Sequence, residues 1–275
     1  MDKLNFHGSL GEGGHGHYVP PLSNPLFNET PYITSEIRAI QLHNDIPEKF
    51  LTQGGNIDVY AVEARLALTE RLGFIATKDG FIDADFDRVL PDSTGWANIA
   101  FGFIYAVVSR PDTGEILTVG FRYEPPSGSL NVAGIKMQGD GDGFVDLFAT
   151  GAKTIGKMGL QASLGANLAL DANHDSSLFH YSLHADYEIF PNLFPLLELN
   201  GFTKIDEGNR TGIMVDGVDL VNLGSVDSGT IITFTGGARY KLNDHLQFGA
   251  GYELPLTARK DILDWRTYVD VVLSY

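Results

Sequence analysis

The sequence predicts an all-β protein: a transmembrane antiparallel up-and-down β-barrel of about 12 strands with an extended N-terminal arm. Three observations predict it. Runs in which apolar and polar residues alternate recur from about residue 33 to the end of the chain, and period 2 places the two sets on opposite faces of a sheet. Most runs are 10–14 residues long, against about 5–6 for an average soluble strand and about 9–11 for one that crosses a bilayer. Short and long connections take turns along the chain.

Residues 1–32 stand apart. Gly11-Glu12-Gly13-Gly14-His15-Gly16-His17 is followed by Pro20-Pro21-Leu22-Ser23-Asn24-Pro25 and by Pro31. Glycine at this density and proline at these positions predict an extended or irregular arm. The barrel unit is expected over 33–275. Its runs lie near 33–43, 56–69, 72–79, 96–109, 115–125, 144–154, 158–170, 178–189, 193–203, 230–242, 245–256 and 264–275. Short links follow the even runs, as at Glu70-Arg71, Pro191-Asn192 and Asn243-Asp244. The longest connections lie near 80–95, 126–143 and 204–229. Short turns on one rim and long loops on the other match a bacterial membrane barrel.

The faces are legible strand by strand. In 178–189 Phe179, Tyr181, Leu183, Ala185, Tyr187 and Ile189 oppose His180, Ser182, His184, Asp186 and Glu188. In 245–256 Leu246, Phe248, Ala250, Tyr252 and Leu254 oppose Gln247, Gly249, Gly251 and Glu253. A soluble barrel or sandwich alternates too. Strand length and the aromatics near strand ends (Tyr60, Tyr123, Tyr240, Tyr252, Trp265, Tyr275) favour the membrane solution.

The last strand carries the most specific signal. Trp265, Thr267, Val269, Val271, Leu273 and Tyr275 share one face, and the chain ends on the aromatic. This stretch resembles the closing strand of Gram-negative outer-membrane β-barrel proteins. The resemblance implies that Val269, Val271, Leu273 and Tyr275 form the signal read by the barrel-assembly machinery. It also implies a Gram-negative outer membrane, with lipid and lipopolysaccharide as surroundings. An even strand number puts both termini on the short-turn side, so the arm is expected in the periplasm, where residues 1–32 are free to dock a partner. Met1-Asp2-Lys3-Leu4-Asn5 lacks an apolar h-region, so a mature chain is expected, its signal peptide removed and a start Met added.

Composition narrows the function. The net charge is −16, which argues against nucleic acid as a partner, since phosphate contacts need clustered Lys and Arg. Cysteine is absent, so there is no disulfide framework and no thiolate metal site. No run of 18 apolar residues occurs, which excludes a spanning helix. Hydrophobic residues make up only 43% of the chain, as expected where a lipid face and a polar lumen face average out.

The expected lumen face is charged with both signs. Its candidate pore-lining residues are Glu63, Arg65, Arg122, Glu124, His180, His184, Asp186, Glu198, Arg239, Glu253, Arg266 and Asp270, joined by Glu36, Arg38, Glu188 and Lys241. They are set either to line a narrow aqueous path and select by charge or to pair and fill the lumen. Pairs such as Glu36/Arg38, Glu63/Arg65 and Arg122/Glu124 sit side by side at i, i+2. The long loops hold most of the excess acid and would draw cations. Gly139-Asp140-Gly141-Asp142-Gly143-Phe144-Val145-Asp146 spaces carboxylates as a Ca²⁺ loop does, which makes Asp140, Asp142 and Asp146 the candidate ligands of a Ca²⁺ in an extracellular loop; no other cofactor is implied. His15 and His17 form a lone HxH. His180, Ser182, His184 and Asp186 follow one another on one face at ~6.6–6.8 Å, too far apart for a catalytic relay. The His-x-Ser-Asn-Gly run of outer-membrane phospholipases is missing. The chain therefore reads as no enzyme. The expected function is a narrow, cation-preferring channel; the alternatives are a sealed scaffolding barrel whose arm docks a partner and, third, a lipid-modifying enzyme.

Overall fold

A computed structural model describes residues 3–11 and 13–275 of the chain. Sixteen strands lie among the described residues. Twelve close the barrel: β1 (Glu36–Asp45), β2 (Gly55–Ala67), β3 (Leu72–Lys78), β6 (Ala100–Arg110), β7 (Glu115–Glu124), β10 (Phe144–Ile155), β11 (Met158–Ala169), β12 (Ser177–Tyr187), β13 (Leu193–Asp206), β14 (Thr230–Lys241), β15 (Leu246–Pro255) and β16 (Trp265–Ser274). Each pairs antiparallel with its neighbours, and β1 hydrogen-bonds both β2 and β16. That seam leaves none of these twelve strands as a sheet edge, the condition for a sheet in lipid.

Four short strands were not expected. β4 (Phe81–Phe86) pairs with the first half of β2, and β5 (Ser93–Trp96) pairs with β4, so the connection near 80–95 is a hairpin that extends the wall. β8 (Asn131–Val132) and β9 (Ile135–Lys136) form a small hairpin in the 126–143 loop.

Burial is inverted relative to a soluble barrel. Leu147, Leu164, Leu183, Leu197, Val269 and Leu273 are each more than half exposed, whereas Arg122, Arg239 and Arg266 are fully buried. The apolar side of each strand therefore faces out and the charged side faces in. Val269, Leu273 and Tyr275 stand on the outer face.

The arm does not hang free. It begins at the short-turn rim, where a 3-10 turn (Gly8–Leu10) sits beside Ile33, and then enters the barrel. From Tyr18 to Ser35 nearly every residue is buried. The chain descends as far as Asn24 and turns there. Phe27 and Asn28 donate backbone hydrogen bonds to the Asn24 carbonyl at 3.0 and 2.8 Å. Asn24 has φ +50°, a conformation asparagine tolerates better than most residues. The chain then runs back to β1. The sequence leaves open whether the arm enters the barrel; residues 18–34 form a loop folded into the lumen. From the other rim the β13–β14 connection folds inward, and Val215, Val218, Leu220, Val221 and Leu223 join Leu22, Leu26 and Phe27 in one apolar cluster. That cluster roofs the loop's tip.

Candidate functional site: the filled lumen

Inward-facing side chains of the wall grip the loop through its backbone. Gln161 donates to the Val19 carbonyl at 2.6 Å and accepts from the Thr30 hydroxyl at 3.1 Å, joining the two limbs. Thr118 donates to the Pro31 carbonyl, Thr150 to Glu29 and Ser163 to Phe27. Pro20 and Pro21 have no N–H to satisfy, and their carbonyls accept from Arg239 at 3.1 and 3.4 Å. The Leu22 carbonyl accepts from Arg38 at 2.9 Å. Where N–H groups do face the wall, Glu198 receives them: Leu22 N at 2.8 Å, Ser23 N at 2.7 Å and the Ser23 hydroxyl at 2.5 Å. A loop without ladder partners thus has its carbonyls from Val19 to Leu22 and at Phe27, Glu29 and Pro31, and the N–H groups of Leu22 and Ser23, paired with the wall, which lowers the cost of burying its backbone.

The wall charges are organised around these contacts. Asp270 is held by both guanidinium nitrogens of Arg239 at 2.8 Å and by Arg38 Nε at 2.7 Å, and Arg38 also reaches Glu63 at 3.3 Å. Arg239 is separated from Asp270 by Gly249 on the strand between; glycine lets the guanidinium cross. In a second group Glu29 of the loop sits between Arg65 and Arg122, the latter at 3.2 Å. Arg122 continues to Asp146 at 2.5 Å, and Asp146 accepts from or pairs with His180 at 2.8 Å. His180 stacks on Phe27 of the loop at 4.3 Å between ring centres. In a third, Glu198, His184, Asp186 and His17 form a chain with contacts of 2.7, 3.1 and 2.7 Å. Near the long-loop rim Arg266 meets Asp219 of the roof at 2.7 Å and Glu253 at 3.7 Å, with the Tyr268 hydroxyl donating to Glu253 at 2.5 Å. Glu124 takes Lys78 at 2.5 Å and Asn98 at 2.8 Å.

All twelve predicted lumen residues therefore face inward. The expected pairs Glu36/Arg38, Glu63/Arg65 and Arg122/Glu124 do not form; His184–Asp186 is the i, i+2 contact that does. Arg38–Glu63, Arg65–Glu36, Arg122–Asp146 and His184–Glu198 are ion pairs between residues directly opposite on adjacent strands. The reason is spacing: opposed Cβ atoms lie about 4.5–5.5 Å apart, closer than i, i+2 neighbours along a strand.

The expected Ca²⁺ trio does not assemble. β10 begins at Phe144, so alternation turns Asp146 into the lumen, where a guanidinium and an imidazole occupy it. Asp140 pairs on the surface with Lys136 at 2.7 Å, and this contact holds its carboxyl below the usual carboxylate range. No group of three or more His, Asp or Glu able to hold a metal ion occurs among the described residues. His184 and Ser182 do not pair: His184 is flanked by two carboxylates, and Ser182 lies 3.4 Å from Asn24 Nδ2. His15 and His17 part company, to Ser109 at 3.1 Å and to Asp186.

Sequence reasoning missed Glu29, the loop's principal carboxylate, and Gln161, which spans its limbs. It also missed the meaning of three inward glycines. A Cβ at Gly237, Gly249 or Gly251 would meet the Leu22 side chain at 2.9, 2.9 and 2.5 Å. These glycines form a notch for that one residue. Glycine at successive inward positions of neighbouring strands was the available signal.

Solved structures share this architecture. An outer-membrane channel from Pseudomonas putida F1 aligns with a TM-score of 0.65 at 14% identity, over 94% of this chain and 100% of that one. The translocator domain of autotransporter NalP from Neisseria meningitidis gives 0.55 at 10%, over 88% of each. The NanC porin gives 0.52 at 7%, over 88% of this chain and 99% of its own. The fold is that of an outer-membrane β-barrel. No protein-family model matches the sequence, and no curated protein does.

Proposed function

We propose that this protein is a barrel of the Gram-negative outer membrane that conducts small solutes only when its N-terminal loop leaves the lumen. The observation that carries the reading is the loop itself, residues 18–34, buried along the barrel axis and held by wall side chains of both signs. With the loop gone, those charges would line a water-filled path, and the acidic long loops would favour cations at its mouth. Val269, Val271, Leu273 and Tyr275, on the outer face of β16, fit the part of assembly signal. The test is planar-bilayer conductance of the intact protein and of a variant lacking residues 1–32. Intact protein is expected to be silent, and the deletion to give discrete, cation-preferring steps. Steady large steps from the intact protein would overturn the closure.

The second reading is a permanently sealed, structural barrel. The Leu22 notch favours it, because a wall carved to fit one loop residue makes that loop a built-in part. Silence from a correctly folded deletion variant would decide for it.

A further inference from the structure

The wall groups that hold Leu22 meet the three parts of an amino acid separately. Its N–H donates to Glu198 of β13 at 2.8 Å, and its carbonyl accepts from Arg38 of β1 at 2.9 Å. Its isobutyl group fills the notch made by Gly237 of β14 and by Gly249 and Gly251 of β15. A carboxylate, a guanidinium and an apolar hollow thus stand around one α-carbon. A peptide unit needs no such charges, and elsewhere along the loop the neutral side chains of Gln161, Thr118, Thr150 and Ser163 serve it. The charges match a free amino acid, whose ammonium and carboxylate turn both contacts into charge-assisted pairs. The wall itself holds these groups in place. Arg38 is fixed by Asp270 at 2.7 Å and by Glu63 at 3.3 Å, and Glu198 by His184 at 2.7 Å. The hollow owes its shape to backbone alone. With the loop away, the site is therefore preorganised.

We propose that the open lumen binds a free apolar L-amino acid of leucine's size at this place, and that Leu22 occupies the site in its stead when the lumen is closed. The inference rests on the opening proposed above and adds the class of solute. Solute and loop compete for one site, so the amino acid draws the equilibrium towards the withdrawn loop. Three different contacts around one α-carbon also separate the L from the D form.

The test is chymotrypsin cleavage within residues 18–34 of the full-length protein in detergent, with Leu22→Ala to weaken the loop's hold. Cleavage follows the open population when reclosing is fast. Without ligand, Leu22→Ala should be cut faster than wild type. L-Leucine at ten times its dissociation constant should raise that rate saturably, by about tenfold. Glycine should bind about thirtyfold more weakly for want of the isobutyl group, and D-leucine should do no better. N-Acetyl-L-leucinamide keeps the side chain without the charges and should also bind more weakly than L-leucine. In full-length Gly251→Val the filled notch should leave the loop readily cut and L-leucine without effect. Equal action of L- and D-leucine, equal action of L-leucine and its uncharged derivative, or no action of L-leucine on a loop that opens would each overturn the site and leave the opening standing. A loop cut no faster in Leu22→Ala than in wild type would overturn the opening, and the site with it.

Discussion

Leu22 is one apolar side chain with an unusual demand on its surroundings. Its methyl groups sit where Cβ atoms would stand on Gly237, Gly249 and Gly251. Gly251→Val should therefore push Leu22 out, since overpacking a closed site costs about 1–3 kcal/mol. Leu22→Ala alone leaves a cavity costing about 2–5 kcal/mol. The two together should cost less than the sum of the singles, because each repairs the other's fault. Melting of the folded barrel measures all three, and strict additivity would show that Leu22 and the notch are not coupled. Glu29 makes a second demand. Glu29→Gln leaves Arg65 and Arg122 short of a buried carboxylate and should destabilise the docked loop by about 3 kcal/mol, seen as faster protease cleavage within residues 18–34. Unchanged cleavage would mean that Glu36 and Asp146 suffice for the two arginines. Neither role was legible in the sequence. Leu22 is an ordinary leucine between proline and serine, and Glu29 an ordinary glutamate; what defines them is contributed by β14 and β15 for Leu22 and by β2 and β7 for Glu29, all distant in the chain.

The strands themselves were legible, and the reason is physical. A bilayer outside and water or polar side chains inside impose strict alternation over a fixed length, so each run declares both its face and its extent. β12 and β16 fall within a residue or two of where the pattern puts them. The elements that escaped lack that constraint. β4 and β5 project beyond the barrel as a hairpin, where strand length is free. The β13–β14 connection is legible only as a long loop, although Asp219 at its tip reaches Arg266 in the lumen. That contact makes the roof part of the closure. Asp219→Ala should leave Arg266 with Glu253 at 3.7 Å as its remaining carboxylate and loosen the roof, read as faster amide exchange at Val218–Val221. Exchange rates equal to wild type would show that the apolar cluster alone holds the roof down.

Taken whole, the molecule is a wall that closes by its own hydrogen bonds and a filling that depends on the wall. The ladder from β1 round to β16 uses no bond to residues 3–34 for its strand pairing. A variant lacking residues 1–32 should thus fold with unchanged far-ultraviolet circular dichroism, though at lower melting temperature, because Arg65 and Arg122 lose Glu29 and Arg38, Arg239 and Glu198 lose the loop's backbone groups. Failure of that variant to fold in lipid would make the loop a nucleus of assembly and not a filling. The charge pattern supports the first outcome: Arg239–Asp270, Arg122–Asp146 and Arg38–Glu63 are all wall-to-wall pairs.

The course of residues 18–34 has a topological corollary. Both feet of the loop stand at the same mouth, Tyr18 near Glu36 and Ile33 near Ser9, and the turn at Asn24 is the deepest point. A bight laid into a tube can be drawn out again without passing a free end through it. The opening proposed above would leave every strand in register and the β1–β16 seam intact, so the chain's own connectivity sets no barrier to it.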